Sequence, residues 1–450
     1  MKQIKKPNNA NLSILGKTKP SDGSYRPMKY CAQLPVEGGV LLYNVATREM
    51  LLLSEEEFAR AAESQYLRDH WFFVPEETNE KQSVDTLRWV LENMQKKSGN
   101  ITGYTILTTT DCNARCFYCY ELGRSRIPMS EETAHKTAKF IKDHCGGEEV
   151  SITWFGGEPL YNLPAIDIIC GDLRQFGVAF KSKMVSNAYL FDDEAVRKAK
   201  DIWNLTYLQI SLDGTEEVYN KSKAFIYKDG SAYQVVLQNI GRLLDAGIRI
   251  AIRLNFDLYN AEDLLHLVDE LAERFQEKSG LSIYAHHLFE EKKTMNEIHD
   301  DTEWAERYEA LHRLEARIEK HGLAMKRSIK SKLKTNHCMA DNDSCVTILP
   351  TGDIGVCEHH SEDEFIGHLD KDGFDAEVIA SWKERSPEIP ECADCAYFPE
   401  CILLKKCTTS RDCFRQYRED KLRYLHKCML GEYTTWLSGE KTEEQEEIFE

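Results

Sequence analysis

No apolar stretch in this sequence approaches the roughly 20 residues a helix needs to cross a bilayer, so a membrane-spanning class is set aside. The opening "MKQIKKPNNANLSILGKTKP" has no continuous apolar run behind its basic start, which argues against a secretory signal and for a cytoplasmic protein. Positive charge is in short supply as well. Lys and Arg number 57 against 75 Asp and Glu, a net charge of −18, and neutralising nucleic-acid phosphates needs the opposite balance. Basic residues gather only locally, in residues 2–29, read as part of a mobile arm (1–29), and in "KRSIKSKLK" (326–334), read as a solvated helix face. Low-complexity sequence is confined to the acidic end "EKTEEQEEIFE", which reads as a frayed tail over 436–450.

At 450 residues the chain exceeds what one core organises, and two or three domains are expected. It holds fifteen cysteines. In a reducing compartment these are metal ligands or catalytic thiols, not a disulfide framework. Three sit at 112–119 and nine between 338 and 428, while Cys31, Cys145 and Cys170 are scattered and read as small buried hydrophobes.

Residues 99–322 alternate between strand-forming and helix-forming runs. "YTILTTT" (104–110), "EVSITWF" (149–155), "FKSKMVS" (180–186), "YLQISLD" (207–213), "RIAIRLNF" (249–256) and "LSIYAHHL" (281–288) are rich in β-branched and aromatic residues. Between them lie amphipathic stretches such as "AEDLLHLVDELAERF", with Leu264, Leu265, Val268, Leu271 and Ala272 at helical spacing. Six such units predict an α/β fold with a parallel sheet, either open and doubly wound or a partial (β/α)6 barrel. Both place chemistry at the carboxyl ends of the strands. Residues 30–98 read as a small α+β module: "GGVLLYNVATREMLLL" as two strands, Ser54 and Glu57 as a capping box, and "WFFVP" (71–75) as a short strand. From 323 to 435 periodicity weakens and cysteines dominate, as in domains held together by metal.

"TTTDCNARCFYCYELG" (108–123) follows the first strand with Cys112-x3-Cys116-x2-Cys119. A disulfide would strand one thiol, and no fourth cysteine follows within twenty residues to close a structural zinc site. The spacing suits a metal centre that keeps one position open. "GGEP" follows the second strand, on the same rim.

With Tyr118 just before the last cysteine, this loop resembles the signature of the radical SAM (S-adenosylmethionine) family. The resemblance implies a [4Fe–4S] cluster on Cys112, Cys116 and Cys119 whose fourth iron binds SAM, and a partial TIM-like radical SAM barrel around it. It further implies cofactor contacts from Gly156, Gly157 and Glu158, from Ser186 and Asn187, from Ser211 and Asp213, and from Arg253, with Asn255 a weaker candidate. Where the family has a glycine after the asparagine, this chain has Ala188.

The second cysteine group resembles the SPASM domain. Cys338, Gly352 and Cys357 meet its opening spacing, and Cys392, Cys395 and Cys401 its core. The resemblance implies two auxiliary [4Fe–4S] clusters. Cys392, Cys395, Cys401 and Cys413 would hold the outer one, with Cys428 the competitor of Cys413 placed on a terminal helix. Cys338, Cys357 and Cys407, with Cys345, would hold the inner one. His359 and His360 read as exposed bystanders.

Residues 30–98 resemble the leader-recognition element, a winged-helix-like unit with a three-stranded sheet whose edge, at "VLLYNVA" or its partner, can take an added peptide strand. The expected function is an enzyme that matures a precursor peptide, with a small reductant protein such as flavodoxin or ferredoxin as electron source. The alternatives are a protein oxidase of the sulfatase-maturing kind and a non-catalytic metal- or redox-sensing protein.

Overall fold

The computed structural model describes residues 1–18, 23–94, 99–119, 121, 125–276, 278–288, 301–358, 364–407 and 412–439. His359, His360 and the end of the acidic tail lie outside these. The chain divides into two compact units, one of residues 1–97, 326–338 and 384–450, the other of 98–325 and 339–383.

The first unit opens with β1 (Lys2–Lys5), α1 (Asn9–Leu15) and β2 (Tyr25–Pro27), where the sequence suggests a mobile arm. The described residues of this segment have backbone partners: β1 pairs antiparallel with β5, and Trp71 Nε1 donates to the Gly16 carbonyl at 2.7 Å. Then follow β3 (Cys31–Val36), β4 (Gly39–Asn44), β5 (Glu49–Leu53), α2 (Glu55–Ala59), α3 (Gln65–Asp69), β6 (Phe73–Pro75) and α4 (Glu80–Met94). The capping box is formed: Ser54 Oγ accepts from Glu57 N at 3.2 Å, and the Glu57 carboxylate from Ser54 N at 2.9 Å.

The sheet runs β1-β5-β4-β3. It therefore has four strands, not three, and "VLLYNVA" (β4) is interior. Among the described strands β3 ends the sheet on one side, while the N-terminal strand covers β5 on the other. Segment 326–334 is irregular where a helix face is expected, because Ile329 and Leu333, at 4% and 5% exposure, are inserted into two cores of this unit.

The second unit carries the repeated βα pattern. Its strands are β7 (Gly103–Thr109), β8 (Val150–Gly156), β9 (Phe180–Ser186), β10 (Leu205–Leu212), β11 (Arg249–Phe256) and β12 (Leu281–His287). Their helices are α5 (Glu131–His144), α6 (Leu163–Gln175), α7 (Asp193–Asp201), α8 (Glu216–Lys223), α9 (Ala232–Asp245), α10 (Ala261–Arg274) and α11 (Asp301–Lys320). The six strands are parallel in sequential order, and β13 (Cys345–Ile348) adds parallel to β7, followed by antiparallel β14 (Asp353–Gly355) and β15 (Gly367–His368). Helix α12 (Ala376–Trp382) completes this unit, and α13 (Arg415–Ser438) belongs to the first.

The sheet's two faces differ as strand alternation demands. Ile106, Trp154, Met184, Leu208 and Ile250 stand in register on one face with no exposure, buried under the helices. Gln209, Ser211, Arg253 and Tyr284 occupy the alternate positions, and Tyr284 bonds Gln209 Oε1 at 2.7 Å. This is the α/β architecture of a partial TIM-like barrel, with its polar row inside and the carboxyl ends of β7–β11 on one rim.

Candidate functional site

Strand β7 ends at Thr109, and the three-cysteine loop leaves it directly. Two glycines let the loop's entrance pack against the end of β8. Gly156 has φ +118°, and a Cβ there would stand 2.1 Å from the Thr109 carbonyl oxygen. A Cβ on Gly157 would stand 2.4 Å from the Asp111 oxygen. Backbone N–H groups of Gly157 and Glu158 donate to the carbonyls of Thr109 and Asp111, each at 3.0 Å, so the bare backbone on β8 is what fixes the start of the loop.

Cys112, Cys116 and Cys119 are all partly buried and outside any disulfide. Burial pushes the Cys112 thiol up to about 12 and raises the other two; Cys116 and Cys119 both act on Cys112, and Cys116 acts on Cys119. Three desolvated, mutually close thiols favour a bound cation, since a metal stabilises the thiolates that burial opposes. Among the described residues no three His, Cys, Asp or Glu side chains close on one point as ligands of a single ion do. A multi-atom cluster sets its sulfurs farther apart than the shared 2.3 Å Zn–S bonds of a zinc site. Three thiol donors on one loop fit an iron–sulfur group that keeps one metal atom open.

Glu158 is fully buried, and its carboxylate accepts from Ser186 Oγ (2.8 Å), Asn187 N (2.8 Å) and Leu160 N (3.2 Å). Burial raises its pKa to about 7 against these bonds. Those donors occupy the carboxylate, so Glu158 ties the ends of β8 and β9 together. Asn187 Nδ2 in turn donates to Asn113 Oδ1 at 2.6 Å, beside Cys112. Ala188, in the glycine position, takes φ +61° and is buried.

Asp213 is likewise fully engaged. Its carboxylate accepts from Asn255 Nδ2 at 3.0 Å and from the Tyr118 hydroxyl, and pairs with Lys223 Nζ at 3.0 Å. Lys223 Nζ also donates to Tyr118 Oη at 2.6 Å and Ser211 Oγ at 2.8 Å. Burial alone would lower the Lys223 pKa, but Asp213 and Cys116 outweigh it and the net direction is up. Lys223 is the site residue that sequence reading missed.

Arg253 neighbours Ser211 in register and bonds His286 Nδ1 at 3.0 Å, while its Nε is buried without a partner. Among the described residues no carboxylate pairs with it. A guanidinium held in this way on the polar face is a ready anion site.

In the first unit, Cys392, Cys395, Cys401 and Cys413 line one cavity of about 80 Å³ with Tyr417 and Arg418. Burial pushes Cys401 up to about 12, and the other three thiols act on it directly. Cys428 is 3% exposed within the apolar core under α13 and is not among them. Cys338 and Cys407 are half-buried in the same unit. In the second unit, Cys345 opens β13 and Cys357 lies two residues beyond the end of β14, with Gly352 (φ +94°) in the connecting turn. Cys145 and Cys170 are buried as expected, and Cys31 only partly so.

Residues 106–271 match the family described as the Radical SAM superfamily. No curated protein matches the chain. Among solved structures, native anSMEcpe with bound AdoMet is similar with a TM-score of 0.55 and 14% identity, over 75% of this chain and 100% of that one. Streptococcus suis SuiB bound to S-adenosylmethionine gives 0.50 and 14%, over 88% and 99%. SuiB bound to the precursor peptide SuiA gives 0.50 and 13%, over 86% and 99%. At these identities the likeness is one of fold. The match of residues 106–271 to the Radical SAM superfamily is what supports an enzyme.

Proposed function

We propose that this radical SAM enzyme modifies a ribosomally made precursor peptide, closing a cross-link such as a thioether or a carbon–carbon bond. One observation carries the reading: three desolvated thiols leave the carboxyl end of the first barrel strand, on a sheet whose polar face holds the Arg253 guanidinium, which has no carboxylate partner among the described residues. A [4Fe–4S] cluster with SAM, when bound, supplies a 5′-deoxyadenosyl radical able to take a hydrogen atom from a substrate.

Cys112, Cys116 and Cys119 would hold that cluster, and Arg253 would receive the SAM carboxylate. Gly156 and Gly157 would line the cofactor with bare backbone, and Ser186, Asn187 and Ser211 would flank it. Glu158 and Asp213, already saturated by the chain's own donors, would act by holding these neighbours in place. The cavity of Cys392, Cys395, Cys401 and Cys413 supports an outer auxiliary cluster within the first unit.

A peptide substrate is supported by two further points. Among the described strands β3 ends the first unit's sheet, and an extended leader can add there by backbone hydrogen bonds. The fold likeness also extends over 88% of this chain for SuiB against 75% for anSMEcpe. A small reductant protein such as flavodoxin or ferredoxin would deliver the electrons.

The test is anaerobic loading with iron and sulfide, reduction, and assay with SAM. Formation of 5′-deoxyadenosine is expected, with no product from Cys112→Ala; turnover by that variant would dismiss the site. With a short precursor encoded beside the enzyme, the product peptide should be two hydrogens lighter. Hydrogen exchange of the β3 amides should slow when the leader is added; unchanged exchange there removes β3 as the docking edge.

A further inference from the structure

The ion pair between Lys223 and Asp213 is 3% and 1% exposed. Buried pairs of this kind contribute little net stability, and apolar replacements are often as good. Its placement suggests a different role. Lys223 is the last residue of α8, and the chain turns there through Ala224 at φ +45°. Its ammonium makes three contacts, to Asp213, Tyr118 and Ser211, which use all three of its donors. Its backbone carbonyl accepts from Arg115 N at 2.8 Å and lies 3.9 Å from Cys116 Sγ. One residue thus grips the cysteine loop from two sides. Tyr118 stands between the second and third cysteines, so fixing its hydroxyl fixes the backbone that spaces those two thiols, whereas the adjacent Phe117 ring is 54% exposed.

We propose that Lys223 is a positioning residue for the three-cysteine loop and that its buried positive charge raises the reduction potential of the cluster bound there. This rests on the reading that the loop holds a cluster. Adding an electron to a thiolate-ligated cluster adds negative charge in a low-dielectric site, and a fixed cation beside it favours the reduced form. Asp213 opposes the effect only in part, because its carboxylate is also held by the Tyr118 hydroxyl and Asn255 Nδ2.

The experiment compares full-length, anaerobically loaded wild type with Lys223→Met, Lys223→Arg and the double variant Lys223→Met/Asp213→Asn. Iron per chain is measured first, and the potential is then read by electron paramagnetic resonance at poised potentials. The double variant covers the case in which the stranded Asp213 charge keeps Lys223→Met from folding. The lysine-free variants should show a ratio of reduced to oxidised cluster at least tenfold lower at the wild-type midpoint, a shift of about 59 mV to more negative potential for one electron, and Lys223→Arg should return it. Failure of the lysine-free variants alone to take up iron would support the positioning role. Equal potentials at equal iron content, or Lys223→Arg behaving as Lys223→Met, would overturn the proposal. Wild type that takes up no iron would instead overturn the earlier reading of the loop.

Discussion

Glu158 is a carboxyl group with no exposure whose three hydrogen-bond donors do not fully offset desolvation, so its pKa stands at about 7 against an ordinary 4.5. Between those values the folded chain binds more protons at this site than the unfolded chain does. Its contribution to stability is therefore complete below pH 4.5, declines as pH rises, and is gone above pH 7. A shift of this size corresponds to about 3 kcal/mol. Urea unfolding of the wild type should accordingly weaken from pH 4.5 to 7 relative to Glu158→Gln. The variant removes this proton linkage at a pH-independent cost of about 1–3 kcal/mol, because its amide must face the Asn187 N–H. Parallel pH profiles for the two proteins would show that burial does not raise the Glu158 pKa above its unfolded value.

At the scale of elements, the junction of β7 and β8 decides whether the cysteine loop can form. A methyl group on Gly157 would fall 2.4 Å from one backbone oxygen and 2.7 Å from its carbon, neither of which can rotate away. Gly157→Ala should therefore cost about 1–3 kcal/mol as overpacking and lower the iron taken up per chain, by displacing Asp111 and Cys112. Full iron loading with an unchanged melt would contradict this. The loop and the six strands were legible in the sequence because both are local signals: a fixed cysteine spacing, and apolar periods of two and of about four. Lys223 was not, since its partners Tyr118 and Asp213 are 105 and 10 positions away and nothing near it marks one lysine from another. The segment 326–334 misled for a related reason. Ile329 and Leu333, four apart, look like a helix stripe, yet they serve two cores from an irregular chain. The pairing of β1 with β5, some fifty residues apart, has no local signature either.

At the scale of the whole molecule, the first unit is assembled from three separate stretches of chain, and this changes how its function can be tested. Ala32, Tyr43, Met50 and Leu52 of the sheet pack with Leu425, Cys428 and Met429 of α13 in one core. Arg48, 3% exposed on its side chain, pairs with Glu400 at 2.7 Å, and Arg88 donates to the Cys401 carbonyl at 2.9 Å. Removing residues 1–95 would strip the partner from α13 and the supports from the outer cysteines, so loss of peptide capture by that truncation would not isolate leader binding. Point changes separate the roles. Cys428 is a core thiol among apolar neighbours, and Cys428→Ala should lower stability by roughly 1 kcal/mol with iron content unchanged. Cys413 lines the cavity with three other thiols, and Cys413→Ala should lower iron by up to about four atoms per chain, one [4Fe–4S] cluster, with SAM cleavage at the first loop retained. Iron lost from Cys428→Ala but kept in Cys413→Ala would reverse the assignment, and would require α13 to leave the sheet to bring Cys428 to the metal.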